Sequence, residues 1–215
     1  NKAPLTHDTY RYIFDRPANL DFEPGQAAEL TLHKEGWTDE GRAFTFTSLP
    51  SDDDLEFVIK SYPSHSGVTE LLPDLPLGGA VELDGPFGAI KDQGPGVFLA
   101  AGAGITPFIA ILRARAQAGT LDGCHLVFSN KTAGDIILRD DWAAMDGLRV
   151  THVLADEEVE GAHKGEVDAA FLKAQEVDLS GHVYICGPQG YVDAMRDAVT
   201  ELGVAKDKII TEDGW

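Results

Sequence analysis

Val97-Phe98-Leu99-Ala100-Ala101-Gly102-Ala103-Gly104-Ile105-Thr106-Pro107 decides how this chain is read. Five apolar residues make a strand short enough to be buried on both faces. Two glycines then turn the chain. Pro107 falls in the first turn of a helix, where its missing N–H would go unpaired in any case. Free amides and a positive helix end at such a turn suit a pyrophosphate, and glycines let it approach the backbone closely. Gly102, Gly104, Ile105, Thr106 and Pro107 are therefore candidate nucleotide-binding residues. The third glycine of the usual dinucleotide fingerprint is missing, and a glycine turn before a helix serves equally as a packing device.

Downstream of this stretch, apolar strands alternate with helix-length segments. Strands are expected over Val97–Ala101, Cys124–Ser129, Arg149–Leu154 and His182–Cys186. Helices are expected over Pro107–Ala118, Leu138–Met145, Glu166–Lys173 and Tyr191–Leu202, which together make a doubly wound parallel sheet with helices on both faces. Upstream the rhythm differs. Short runs at Tyr10–Phe14, Ala27–His33, Ala43–Thr47, Leu55–Lys60 and Ala80–Asp84 are separated by turn residues, as in a small antiparallel β-barrel. The change falls in Lys91-Asp92-Gln93-Gly94-Pro95-Gly96, dividing the chain into an N-terminal barrel, residues 1–92, and an α/β domain, residues 93–215.

Composition removes several classes of function. The 215 residues carry 36 Asp and Glu against 17 Lys and Arg, a net charge of −19, which repels nucleic acid and anionic lipid surfaces. The uncharged run from Val97 to Leu112 is shorter than a bilayer span and is broken by Gly102, Gly104 and Pro107, so no membrane insertion is expected. No secretory signal is visible. Cys124 and Cys186 both lie in strand-like runs, which suggests no disulfide framework and a reducing, cytoplasmic setting. The histidines and cysteines show no metal-ligand spacing.

Three further segments carry candidate chemistry. Arg42 precedes an alternating run in which Phe44 and Phe46 share one face and Thr45 and Thr47 the other. A cation, a flat apolar surface and a hydroxyl are what a flavin needs for its pyrophosphate, its ring and its polar edge. An amphipathic strand with an arginine at its exposed start reads the same way. Gly67-Val68-Thr69 precedes the helix-like Glu70-Leu71-Leu72, so Thr69 can cap that helix and offer its hydroxyl to a phosphate. In Ile59-Lys60-Ser61-Tyr62, Tyr62 can flank an adenine; a solvated strand end explains the segment nearly as well.

With these residues in place, the chain resembles the ferredoxin-NADP reductase superfamily over nearly its whole length. Pro24-Gly25-Gln26 resembles the family's early turn, Arg42-Ala43-Phe44-Thr45 its Arg-x-Tyr-Ser/Thr flavin motif, and Ser66-Gly67-Val68-Thr69 its phosphate turn. Gly85-Pro86-Phe87-Gly88 resembles the turn that closes the barrel, Gly102 to Pro107 the nicotinamide-nucleotide loop, and Cys186-Gly187-Pro188 the family's Cys-Gly-Pro. Two departures stand out: Phe44 replaces the usual tyrosine, and in the terminal Glu212-Asp213-Gly214-Trp215 a glycine holds a place often taken by an aromatic residue.

The resemblance implies an FAD-dependent NAD(P)H oxidoreductase, with hydride passing from NADH or NADPH to flavin N5. Electrons then pass to a separate acceptor such as a ferredoxin, a flavodoxin or an oxygenase component. It implies Thr45, Cys186 and Glu212 at the reacting centre, with Thr45 bonding near N5, Cys186 positioning the nicotinamide and Glu212 a proton relay or a plain tail residue. Trp215 is expected to cover the adenine or the flavin ring. Nucleotide selectivity is expected at Ser129-Asn130-Lys131-Thr132, where Lys131 favours a 2′-phosphate and the nearby Asp156-Glu157-Glu158 disfavours it. A monomer is expected. A non-catalytic redox-sensing module that binds flavin and nucleotide is the competing reading.

Overall fold

The computed structural model describes residues 1–32, 41–62 and 68–212. The N-terminal half is built from two three-stranded antiparallel sheets. The first has the order β1 (Lys2–Pro4), β2 (Thr9–Asp15), β5 (Asp54–Lys60). The second has the order β4 (Arg42–Thr45), β3 (Ala27–Leu32), β6 (Val81–Phe87). An antiparallel bridge, Phe46 to Phe57, ties one sheet to the other. Between them Phe22 stacks on Phe46 with ring centroids 4.2 Å apart, Phe57 lies tilted against Phe46 at 5.1 Å, and Leu30, Leu55 and Leu72 complete the core. A four-residue helix, α1 (Val68–Leu71), closes the barrel, with Val68 fully buried beneath it.

The second half is a six-stranded parallel sheet in the order β10 (Ala162–Lys164), β9 (Arg149–Leu154), β8 (His125–Asn130), β7 (Gly96–Ala101), β11 (His182–Cys186), β12 (Ile209–Thr211). Side chains alternate across it as a pleat demands. Phe98, Ala100, Leu126 and Phe128 face one layer, built with α2 (Thr106–Ala118) and α3 (Arg139–Ala143). Val97, Leu99, Val127 and Ile185 face the other, built with α4 (Ala169–Ala174) and α5 (Gln189–Glu201).

Helix α2 joins the halves. Phe108, Ile109, Ala110, Ile111 and Leu112 are all fully buried, and the core on this side of the sheet also takes in Val58 of β5 and Ile90. Each of the larger side chains contributes about 1.5–3 kcal/mol by leaving water. From the same helix Arg113 donates to the Thr47 carbonyl at 2.9 Å and to Glu56 Oε1 at 2.6 Å. Thr47 Oγ1 donates to that same carboxylate oxygen at 2.9 Å, and Arg11 approaches Oε2 at 3.3 Å.

Several element expectations shift. Three strands of three residues each, β1, β10 and β12, escape a reading by periodicity, because three residues carry no period. The helix expected over Leu138–Met145 spans Arg139–Ala143, since Leu138 adopts a left-handed φ of 56° that stops it from extending upstream. The helix expected from Glu166 starts at Ala169, where the Asp168 carboxylate accepts the Phe171 N–H at 2.6 Å and caps it. His33, at the end of the expected second strand, lies outside the described residues.

Candidate active site

The sheet order sets the place of the site. After β7 the chain adds β8, β9 and β10 on one side and then returns to add β11 and β12 on the other. The C-terminal ends of β7 and β11 therefore flank a topological switch point, where open α/β sheets hold their ligands. These ends are Ala101-Gly102 and Cys186-Gly187. A Cβ on Gly104 would run into the Cys186 carbonyl, and one on Gly187 would lie 3.0 Å from Ala101 Cβ and Tyr191 Cδ1. Glycine here lets two loops touch. Gly102, with φ of +52°, supplies the turn itself. Thr106 Oγ1 donates to the Ala103 carbonyl at 3.0 Å and tightens the same turn.

Two cavities open from this point and share Lys60, Tyr62 and Ala103 as their common wall. The first, about 410 Å³, lies between the halves. Arg42, Ala43, Phe44 and Thr45 of β4, together with Ile59 and Thr69, line its barrel side; Thr106, Pro107, Cys186 and Glu212 close it from the other. The second, about 820 Å³, runs over the sheet from Gly102 and Gly104 past Ser129, Asn130 and Lys131, with Gly187, Pro188 and Tyr191 on its flank.

The electrostatics of the first cavity are specific. Lys60 pairs with Asp8 at 2.8 Å, and Thr6 and Thr9 also donate to Asp8, holding its carboxyl below the usual range against the opposing effect of burial. Burial pushes the Cys186 thiol up to about 12, helped by the charge of Glu212 and partly offset by the Gly187 amide. Cys186 is thus a neutral thiol at physiological pH, a polarisable wall rather than a nucleophile. Burial likewise raises the Tyr191 hydroxyl, which keeps its proton.

Not every expected site residue reaches the cleft. Phe46 is fully buried among barrel aromatics, and Thr47 is fully buried under Arg113 and Glu56. The alternating-strand reading fails for both because β4 stops at Thr45 and the chain crosses to the other sheet at the Phe46–Phe57 bridge. Ile105 and Val68 are fully buried core residues. Thr69 is not the cap of α1 but its second residue, since the helix begins at Val68; its carbonyl accepts from Ser61 Oγ at 3.0 Å. Gly67 and Trp215 lie outside the described residues. Conversely, the cavities are also lined by Ala27 and Val58, and by Asp8, Asp135, Glu166 and Tyr191, none of which the sequence singled out. Tyr191 has a signal in hindsight: it stands one helical turn past Pro188, whose carbonyl accepts its N–H at 2.8 Å.

The first cavity fits a flavin on its own chemistry. It offers an apolar slot walled by Ala27, Phe44, Val58 and Ile59, cations at Arg42 and Lys60, and a hydroxyl at Thr45, which is only 9% exposed. The glycine turn at the switch point fits a dinucleotide. Such a pair of sites defines an FAD- and nicotinamide-nucleotide-binding oxidoreductase. Two family models agree: an oxidoreductase FAD-binding domain over residues 1–91 and an oxidoreductase NAD-binding domain over residues 98–197. NADH-cytochrome b5 reductase 1 of Ajellomyces capsulatus is 31% identical, with 98% of this chain and 75% of that protein covered. The reductase component of propane 2-monooxygenase from Mycolicibacterium goodii is 30% identical over 90% of this chain and 59% of its own length. The FAD/NAD-binding domain of a nitric oxide dioxygenase from Vibrio cholerae shares the fold, with a TM-score of 0.87 at 24% identity over 99% of this chain and 94% of that one. The chain belongs to the family of oxidoreductases that join an FAD-binding domain to an NAD-binding domain, and it has the fold of a ferredoxin-NADP reductase. It spans about three fifths of the length of the propane 2-monooxygenase reductase components it matches.

Proposed function

We propose that this chain takes electrons from a reduced nicotinamide nucleotide and delivers them, one carrier at a time, to a separate acceptor protein. The observation that supports it most is the shared wall of the two cavities, which sets β4 of the barrel and the ends of β7 and β11 around two adjoining spaces. Bound FAD would supply the two-electron chemistry at their junction. The protein's part is placement. Arg42 and Lys60 hold phosphate charge, with Lys60 kept in position by Asp8. Phe44, Val58 and Ile59 give the ring an apolar slot that excludes water. Thr45 offers its hydroxyl to the ring's polar edge. Cys186 and Gly187 would shape the place of a nicotinamide, and the neutral sulfur would keep a charge away from it. Glu212, on the same wall, is positioned to move a proton to or from solvent.

The acceptor is proposed to be a ferredoxin, a flavodoxin or an oxygenase component, by analogy with relatives that are named reductase components. Two free cysteines, Cys124 buried and Cys186 at the cleft, fit a reducing cytoplasm. No helix among the described residues is long and apolar enough to cross a membrane. We propose that the chain acts as a monomer.

The test is anaerobic stopped-flow mixing of the FAD-loaded protein with NADH and, separately, with NADPH. Rapid bleaching of the flavin band by at least one of them is expected. A bound flavin that neither nucleotide reduces would instead assign the chain to redox sensing without turnover.

A further inference from the structure

We infer that this chain selects NADH over NADPH: Asn130 receives the diol of the adenosine ribose, while Asp135 and Glu157 occupy the donors that a 2′-phosphate would need. The inference rests on the nucleotide-binding reading above and names which nucleotide that site takes.

The second cavity leads from the glycine turn along the end of β8 to Ala155 and Glu166. A dinucleotide with its pyrophosphate on Gly102 and Gly104 lays its adenosine half along that strand end, where dinucleotide folds separate a 2′-hydroxyl from a 2′-phosphate. Asn130 lines the cavity there. It is only 9% exposed, yet neither its Oδ1 nor its Nδ2 has a hydrogen-bond partner. A buried amide left in this state is costly unless a ligand or water completes it. Because both atoms are unpaired, the assignment of oxygen and nitrogen does not affect the argument. A ribose diol both donates and accepts, so it can satisfy both atoms at once. A phosphate dianion only accepts, and would set its lone pairs against Oδ1.

The loop that follows holds the second half of the argument. A 2′-phosphate needs amide donors or cations. The Thr132 N–H already donates to Asp135 Oδ2 at 2.9 Å, and the Thr132 hydroxyl donates to the same oxygen at 2.7 Å. The Ala133 N–H donates to Glu157 Oε2 at 2.7 Å. Two carboxylates thus sit where a phosphate would compete for the same hydrogens. Among the described residues Lys131 is the one cation lining the α/β side of this cavity, and the carboxylates of Asp135 and Glu166 line the cavity with it. On the barrel side His7 lies 3.5 Å from Asp135, and Lys60 is engaged by Asp8. Like charges facing a dianion give selectivity by repulsion as much as by attraction to the favoured ligand.

The test is calorimetric titration of the FAD-loaded protein with NAD⁺ and with NADP⁺ at pH 8, alongside flavin reduction by NADH and NADPH. NAD⁺ is expected to bind about tenfold tighter or better. In Glu157→Gln the preference should shrink several-fold through tighter NADP⁺ binding, with NAD⁺ little changed. In Asn130→Leu, NAD⁺ binding should weaken by roughly tenfold. Glu158→Gln, one residue along and exposed, should leave the ratio as it was. NADP⁺ binding as tightly as NAD⁺, with flavin still reduced, would overturn the selectivity while leaving the reductase reading intact. An equal change in ratio from Glu158→Gln would overturn the role of Glu157. Binding of neither nucleotide would overturn this inference together with the reading beneath it.

Discussion

The two walls of the cleft are held in place by different means. On the barrel side, side chains distant in sequence pin each other through charge: Lys60 to Asp8, and Glu56 to Arg113, Arg11 and Thr47. On the α/β side the wall is mostly backbone, with Gly104 and Gly187 letting the ends of β7 and β11 touch and Thr106 closing its own turn. A wall set by side chains loses strength in increments, because each pair is worth a modest amount. A wall set by backbone contact has no room to give, because interiors are close-packed.

Gly104→Ala attacks the backbone wall and should have the largest effect. The added methyl meets the Cys186 carbonyl, so the loop or β11 must shift. We expect NAD(P)H-driven flavin reduction in stopped flow to fall by about 100-fold, the scale of a 1 Å misplacement near reacting groups. Near-normal reduction would show that the backbone wall is as forgiving as the other.

Arg113→Ala attacks the charged wall. It leaves the Thr47 carbonyl without the arginine donor and Glu56 with Thr47 and Arg11 as partners in a partly buried setting, and should cost about 2 kcal/mol in urea unfolding. Flavin reduction by the surviving folded protein should change much less than in Gly104→Ala.

Cys186 gives a pH signature. Its proton leaves the unfolded chain near the ordinary value of 9 but leaves the folded one only at about 12, so the unfolded state binds fewer protons between the two. Stability contributed by the buried thiol is complete below pH 9 and is lost across the window from 9 to 12, at about 1.4 kcal/mol per pH unit. Denaturation midpoints of Cys186→Ala should fall less steeply over that range than those of the parent.

Thr45→Ala should slow flavin reduction by roughly tenfold, the equivalent of one hydrogen bond of about 1.4 kcal/mol, with little change in stability. Phe44→Tyr is the smallest change. It adds the hydroxyl of the family motif and should tighten FAD binding by about 1 kcal/mol or less, read by flavin fluorescence titration.

Much of this was legible in the chain itself. The run from Val97 to Pro107 announced strand, turn and helix because each signal is local: an apolar run, two glycines and a proline at a tolerated position. Of the residues expected on the flavin side, Arg42, Phe44 and Thr45 line the cavity, while Phe46 and Thr47 are buried away from it. A period of two assumes that a strand continues, and no residue type marks the point where a chain leaves one sheet for another. Arg113 was invisible for a related reason. An arginine on a helix reads as a solvated charge, and its partners stand 57 and 66 residues away in sequence. Asp8 escaped notice because a loop aspartate acquires its meaning only once Lys60 is folded against it.

The sulfur at the end of β11 has a consequence for how long such a protein lasts. Peroxide and other electrophilic oxidants attack thiolates, and the first steps to sulfenic and sulfinic acid begin there. A thiol whose ionisation is pushed to about 12 keeps only about one part in 10⁵ as thiolate at neutral pH. In the proposed reductase such a thiol would outlast many turnovers: the same burial that makes Cys186 a poor nucleophile makes it durable.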